Sequence, residues 1–226
     1  MMIAECATLA TWSIPICYYY YKYLNKKYTK VNLDEYKLLA GYNAHGKITI
    51  DMRITPHLLV TGLSGQGKSR CLKVMLKNMQ DKADIVLCNA FKGDFEGVQA
   101  RRIYGEQNIL NYITSVLENL YRREKPLYIV IEELGTIKNK SLIAKIQELL
   151  CIARHYNIYI IGVIQIATKE ELKFKSYFNA RLTFKQLDDS AYRVVLGTGI
   201  GEKILNKREF ALVSDDLYFG KTYIIN

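Results

Sequence analysis

The sequence predicts an α/β domain: a largely parallel central sheet flanked by helices, preceded by a short N-terminal hydrophobic segment. Three observations predict it. Short runs such as IVLC (85–88), LYIVI (127–131) and IYIIGVI (158–164) are apolar at every position, as strands buried on both faces of a sheet must be. Amphipathic helical patterns separate those runs, the alternation that builds parallel sheets. A glycine-rich loop stands where the first apolar strand gives way to the first helix.

The elements follow in order. Lys47 to Met52 (KITIDM) alternates like a half-buried strand, and His57 to Thr61 (HLLVT) is a short apolar run between Pro56 and Gly62. From Lys68 to about Met79, residues Leu72, Met75, Leu76 and Met79 share one helical face. Asp84 to Cys88 is the next buried strand. Ile109, Ile113, Val116, Leu117 and Leu120 repeat at helical spacing within 109–121, before the strand Leu127 to Ile131. A helix over Leu142 to Arg154 turns Ile143, Ile146, Leu149, Leu150 and Ala153 inward, and Ile158 to Ile164 is the fourth buried strand. Arg181 to Phe184, Phe210 to Val213 and Thr222 to Ile225 supply later strands. Residues 31–46 read as a linker or short helix, which divides the chain into 1–30, 31–46 and a domain over 47–226.

The N-terminus differs in kind. No charge interrupts Cys6 to Tyr21 (CATLATWSIPICYYYY), and Lys22, Lys26, Lys27 and Lys30 follow. A bilayer span takes about 20 apolar residues, so this one is short. Trp12 and the run Tyr18 to Tyr21 nevertheless suit a membrane interface with a cytoplasmic lysine flank. The expectation is a membrane anchor at the cytoplasmic face. The alternative is an arm packed on the domain or on a neighbouring subunit, leaving a cytoplasmic or virion-associated protein. No basic stretch precedes the apolar run, so a cleaved signal peptide is not expected.

The 226 residues are 50% hydrophobic, which excludes a disordered chain, and 24% charged throughout, which excludes a multi-span membrane protein. Lys plus Arg is 32 against 22 for Asp plus Glu, a net charge of +10. A polyanion is a reasonable partner, although charge alone also suits plain solubility. The five cysteines contain no C-x-x-C pair, which argues against a disulfide framework and a zinc knuckle. Cys71, Cys88 and Cys151 read as small core residues.

The strongest signal is Gly62-Leu63-Ser64-Gly65-Gln66-Gly67-Lys68-Ser69, which fits G-x-x-x-x-G-K-[ST] throughout. Its glycines let successive backbone N–H groups face a phosphate chain, and the helix behind adds its positive end. Lys68 would reach the β- and γ-phosphate oxygens, the Ser69 hydroxyl would ligate Mg2+, and Arg70 follows in the first turn. The implied cofactors are ATP and magnesium. The strand LYIVI ends in Glu132 and Glu133. One carboxylate there can hold magnesium through water while the second polarises the attacking water, and the order assigns these roles to Glu132 and Glu133. Gln165, at the end of the fourth buried strand, is placed to sense the γ-phosphate.

With these residues assembled, the chain resembles the FtsK/SpoIIIE branch of the FtsK–HerA ATPases, ring motors that pump double-stranded DNA. The matching segments are HGKITIDMRITPHLLVTGLSGQGKS, the turn Ala90-Phe91-Lys92-Gly93, LENLYRRE, LYIVIEEL, IARHYNIYIIGVIQ and FNARLTFKQLDDSAYRVVLG, across about residues 45 to 215. Ala90 stands where the family has Asp, and Glu132 where Asp is usual. The resemblance implies a RecA-like domain that assembles into a hexameric ring, with ATP bound between neighbours. It also implies an arginine donated across the interface, with Arg154 favoured over Arg181. Lys169, Lys173 and Lys175 are candidates for a pore loop that touches DNA phosphates; the plainer reading is a solvated charged loop. The function expected is an ATP-driven double-stranded DNA translocase in conjugative transfer or phage-type genome packaging, with a membrane, secretion or portal complex as a further partner. The alternative is a nucleotide-dependent binding module that turns over slowly; a small-molecule kinase is the distant third.

Overall fold

The computed structural model describes residues 26–165, 174–201 and 203–225. Segment 6–21 and the lysines Lys169 and Lys173 lie outside the described residues. Ten strands form one sheet: β1 (Lys37–Asn43), β2 (Gly46–Asp51), β3 (Leu58–Thr61), β4 (Asp84–Cys88), β5 (Arg101–Ile103), β6 (Leu127–Ile131), β7 (Ile158–Ile164), β8 (Ala180–Thr183), β9 (Glu209–Val213) and β10 (Leu217–Lys221). The described α-helices are α1 (Lys68–Met79), α2 (Glu106–Glu118), α3 (Lys140–Ile152) and α4 (Asp189–Leu196).

The strand order is β2-β1-β10-β9-β8-β3-β7-β6-β4-β5. The six strands from β8 to β5 run parallel, and the four from β9 to β2 are added antiparallel. The parallel half is the predicted sheet covered on both faces. In β6, Tyr128 and Val130 join Leu72, Met75 and Leu76 of α1 in one core. Leu127, Ile129 and Ile131 join Ile109 and Ile113 of α2 and Ile146 and Leu149 of α3 in the other. Successive side chains of a strand point to opposite faces, so a strand between two cores must be apolar throughout.

Several boundaries differ from the sequence reading. Residues 37–43 are a strand, not a linker or helix. Leu38, Leu39, Ala40 and Tyr42 are all buried, and the β1–β2 register slips between Leu39 and Gly41, so no alternation marks the strand. The last strand is Leu217–Lys221 rather than 222–225, because a turn at Ser214 to Asp216 closes a tight hairpin with β9. The helices α2 and α3 begin about three and two residues earlier than predicted and end earlier as well. In α3 the inward set is Leu142, Ile146, Leu149 and Leu150. Cys151 is exposed, whereas Cys71 and Cys88 are buried, and burial pushes both buried thiols up to about 12.

The domain also begins earlier than residue 47. The Tyr28 amide donates to the Ile224 carbonyl at 2.8 Å and Ile224 donates to Lys26 at 2.9 Å. The Val31 amide donates to Asn78 Oδ1 on α1 at 2.8 Å.

The β1–β10 seam joins the N-terminal hairpin to the sheet and depends on Gly41. A Cβ there would meet the Lys221 carbonyl and the Phe210 ring. Gly41→Ala is therefore expected to lower stability by about 1–3 kcal/mol, read as a lower midpoint in urea with an unchanged far-UV spectrum before unfolding.

Candidate active site

The finishing ends of parallel strands, where ligands bind in open α/β sheets, converge here on one cleft. Its volume is about 650 Å³, and Ser64, Gly65, Gly67, Lys68, Ser69 and Arg70 form one wall. Glu132 and Glu133 enter from the end of β6 and Gln165 from the end of β7. Three separate segments singled out in the sequence thus meet in one place. Leu63 and Gln66 belong to the same loop as its hydrogen-bonded anchors.

The loop's shape is set by Gly62, Gly65 and Gly67, whose φ angles are 136°, 72° and 122°. A Cβ at Gly62 would also lie 2.7 Å from Phe184 Cβ. Two hydrogen bonds pin the loop from outside: Leu63 N–H donates to the Lys185 carbonyl at 3.0 Å, and Arg208 N–H donates to the Gln66 carbonyl at 2.8 Å. No side chain caps α1, and its first turn holds no acid. Its leading N–H groups therefore remain open to an anion.

Lys68 is buried and its Nζ donates to the carbonyls of Gly62 and Leu63, at 2.5 and 3.0 Å. Burial lowers its pKa, opposed by the charges of Glu132 and Asp94. Glu132 shows the converse: burial pushes its carboxyl up to about 7, although Lys68 pulls it down. Its Oε1 is buried without a hydrogen-bond partner. An orphaned carboxylate oxygen in the cleft that Ser69 also lines fits a cation. A metal bound mainly by phosphates and water needs few protein oxygens, and no group of three or more acidic, His or Cys side chains forms a self-sufficient metal cage among the described residues.

Glu133 is exposed and left-handed at φ 57°. A non-glycine residue in that region is strained, as active-site residues often are. Its carbonyl accepts from Thr136 Oγ1 at 2.9 Å, which holds the turn after β6.

The cleft also contains Phe91 and Gly93 of the turn 90–93 and residues the sequence reading missed: Lys73, Asn89, Asp94, Lys207 and Ile225. Asn89, at φ 54°, could have been found from its place just past an apolar strand. Lys207 and Ile225 could not, because they come from the antiparallel extension. Arg154 and Arg181 do not line the cleft. Both stand at the starting ends of their strands, β7 and β8. Arg154 is exposed in a second cleft with Arg53 and Arg122. Arg181 donates from one terminal nitrogen to the Val195 carbonyl at 3.1 Å, serving the end of α4. A catalytic role for either requires another copy of the chain.

No family model and no curated protein matches the sequence. Solved structures do match in fold. The monomer form of the pCW3 conjugation coupling protein TcpA with ATPgS gives a TM-score of 0.77 at 18% identity, over 91% of this chain and 70% of that one. At 18% identity the likeness is one of fold alone. Within that fold, ATPases 2 and 3 of EccC from Thermomonospora curvata, in complex with a signal sequence peptide, give 0.64 at 13% identity, over 84% of this chain and 41% of that one. The genome packaging NTPase B204 of Sulfolobus turreted icosahedral virus 2, in complex with sulfate, gives 0.51 at 13% identity, over 75% of this chain and 98% of that one.

Glu132→Gln removes a buried charge and is expected to stabilise the protein free of nucleotide and metal. The sign follows from a carboxyl raised from 4.5 to about 7 on folding. Below pH 4.5 the carboxyl is protonated in both states and costs nothing. The cost grows as pH rises through that window and is complete above 7. Thermal melts in chelator should show no advantage of Glu132→Gln at the acid end and an advantage of roughly 1–3 kcal/mol above neutrality. An advantage independent of pH would contradict the burial of this charge. Separately, Lys68→Ala should abolish ATP turnover, and Glu133→Gln should bind ATP yet stop hydrolysis, as read by nucleotide binding and phosphate release.

Proposed function

We propose that this chain hydrolyses ATP as a subunit of a ring motor acting on double-stranded DNA, in transfer of a mobile element or packaging of a genome. The observation that carries the reading is the meeting of Lys68, Ser69, Glu132 and Glu133 in one cleft at the strand ends. The loop would hold the phosphates. Ser69 and Glu132 would hold magnesium, which neutralises the phosphate chain when bound. Glu133 would orient and polarise water, and Gln165 would report on the terminal phosphate. The likeness to a conjugation coupling protein and to a packaging NTPase supports DNA as the cargo. The EccC complex with a signal sequence peptide favours a second reading, a motor for polypeptide.

A neighbouring copy would supply the arginine that offsets charge on the transferred phosphoryl group. Arg154 suits that role better than Arg181, because its guanidinium is exposed and Arg181 is engaged within its own chain. The N-terminal segment would tether the motor to a membrane. No helix among the described residues is long and apolar enough to cross one. A deletion testing that tether should stop at residue 25, since residues 26–28 pair with Ile224, beyond β10.

Steady-state ATPase assays test the reading. Turnover per subunit should rise with protein concentration as rings assemble, and duplex DNA should raise it further, with a steep loss of the DNA effect at high salt. Arg154→Ala should bind ATP normally and lose about 10³–10⁵ in rate. Turnover indifferent to duplex DNA would remove DNA as the cargo and favour the polypeptide reading.

A further inference from the structure

A second concave surface lies away from the nucleotide cleft, at the β5 edge of the sheet. It is about 610 Å³ in volume, bounded by β4, β5, α2 and the loop that leads into β6. Its apolar floor is Val86, Val116 and Leu127, all buried. Two arginine–tyrosine pairs stand on its walls. The Arg101 guanidinium lies 5.0 Å from the centre of the Tyr112 ring, and that of Arg123 lies 4.9 Å from the centre of the Tyr121 ring.

In both pairs the cation lies over an aromatic ring. Neither arginine has an ion-pair partner among the described residues. The acid lining this cleft is Asp84, exposed at the start of β4. The loop carrying Arg123 is fixed in place: its amide donates to the Tyr156 carbonyl at 3.3 Å, and Asn157 Nδ2 donates to its carbonyl at 2.7 Å. Tyr121 remains 59% exposed. A guanidinium over a ring face can still offer its terminal N–H groups to a phosphate, although Arg123 Nε is itself buried.

We propose that this cleft binds single-stranded nucleic acid, with a base stacked against Tyr121 and the strand's phosphates on Arg101 and Arg123. The volume suits one planar base on an apolar floor, and stacking platforms flanked by cations are how unpaired strands are held. A duplex keeps its bases inside and cannot fill the recess. A flat anionic membrane cannot enter it. The inference rests on the DNA reading only for the class of partner, since none of its residues lines the nucleotide cleft.

The shared chemistry of base plus phosphate could also come from a free nucleotide, so the test separates the two. Binding of a labelled oligothymidylate of about 16 nucleotides to the full chain is measured by fluorescence anisotropy across a salt series. Tyr121→Ala is expected to weaken it about tenfold, and Arg101→Ala to lower the salt slope by about 0.7. Both variants should keep wild-type ATP affinity and melting temperature. Unchanged affinity and slope in both variants would overturn the proposal. So would displacement of the strand by millimolar mononucleotide, or an equal loss of duplex and single-strand binding. Anionic vesicle binding that falls in the variants while strand binding holds would assign the surface to lipid instead. Failure here leaves the duplex-stimulated ATPase standing, and loss of that stimulation leaves strand binding at this cleft standing.

Discussion

The site depends on one constraint: the loop after β3 must turn with its amides inward while remaining fixed to the sheet. Three glycines at positive φ allow the turn. Fixity comes from two donations, Leu63 N–H to Lys185 and Arg208 N–H to Gln66, at 3.0 and 2.8 Å. The first ties the loop to the end of β8 and the second to the residues before β9. The antiparallel extension is therefore more than an added edge. It supplies an outer brace for the phosphate loop and delivers Lys207 and Ile225 into the cleft. Arg208 sits at φ 71°, and its carbonyl accepts from Thr222 at 2.9 Å, so the strain at the brace is held from the C-terminal side.

The same cleft carries an electrostatic cost. Lys68 and Glu132 attract each other, yet burial pushes each toward its neutral form. Desolvation exceeds the mutual attraction because Lys68 Nζ donates to the Gly62 and Leu63 carbonyls rather than to Glu132. A phosphate chain with its magnesium would offset both costs. A site held in this condition without its ligand is characteristic of groups tuned for chemistry rather than for stability.

Much of this was legible in the sequence. The strands β4, β6 and β7 and helix α1 fall where their patterns place them, because a short unbroken apolar run and an amphipathic helical period are both local signals. The phosphate loop and the carboxylates after β6 were legible because their chemistry is local to a few residues. The rest depended on distant partners. β1 was hidden by its register slip at Leu39 and Gly41. β5 is three residues long, too short to carry a period. α4 did leave a signal that went unused: Asp188 caps it by accepting from Ala191 N–H at 2.9 Å, and Gly197 ends it at φ 82°. Asp94, Lys207 and Ile225 join the cleft only through tertiary placement, and nothing in their local sequence marks them.

The central claim is that ATP hydrolysis at this cleft moves the protein along duplex DNA. Displacement of a labelled third strand from a linear duplex tests it most directly. The account predicts displacement that requires ATP and magnesium, is lost in Lys68→Ala, and is delayed in proportion to the distance of the third strand from the loading end. ATP hydrolysis at full rate with the third strand left in place would contradict it.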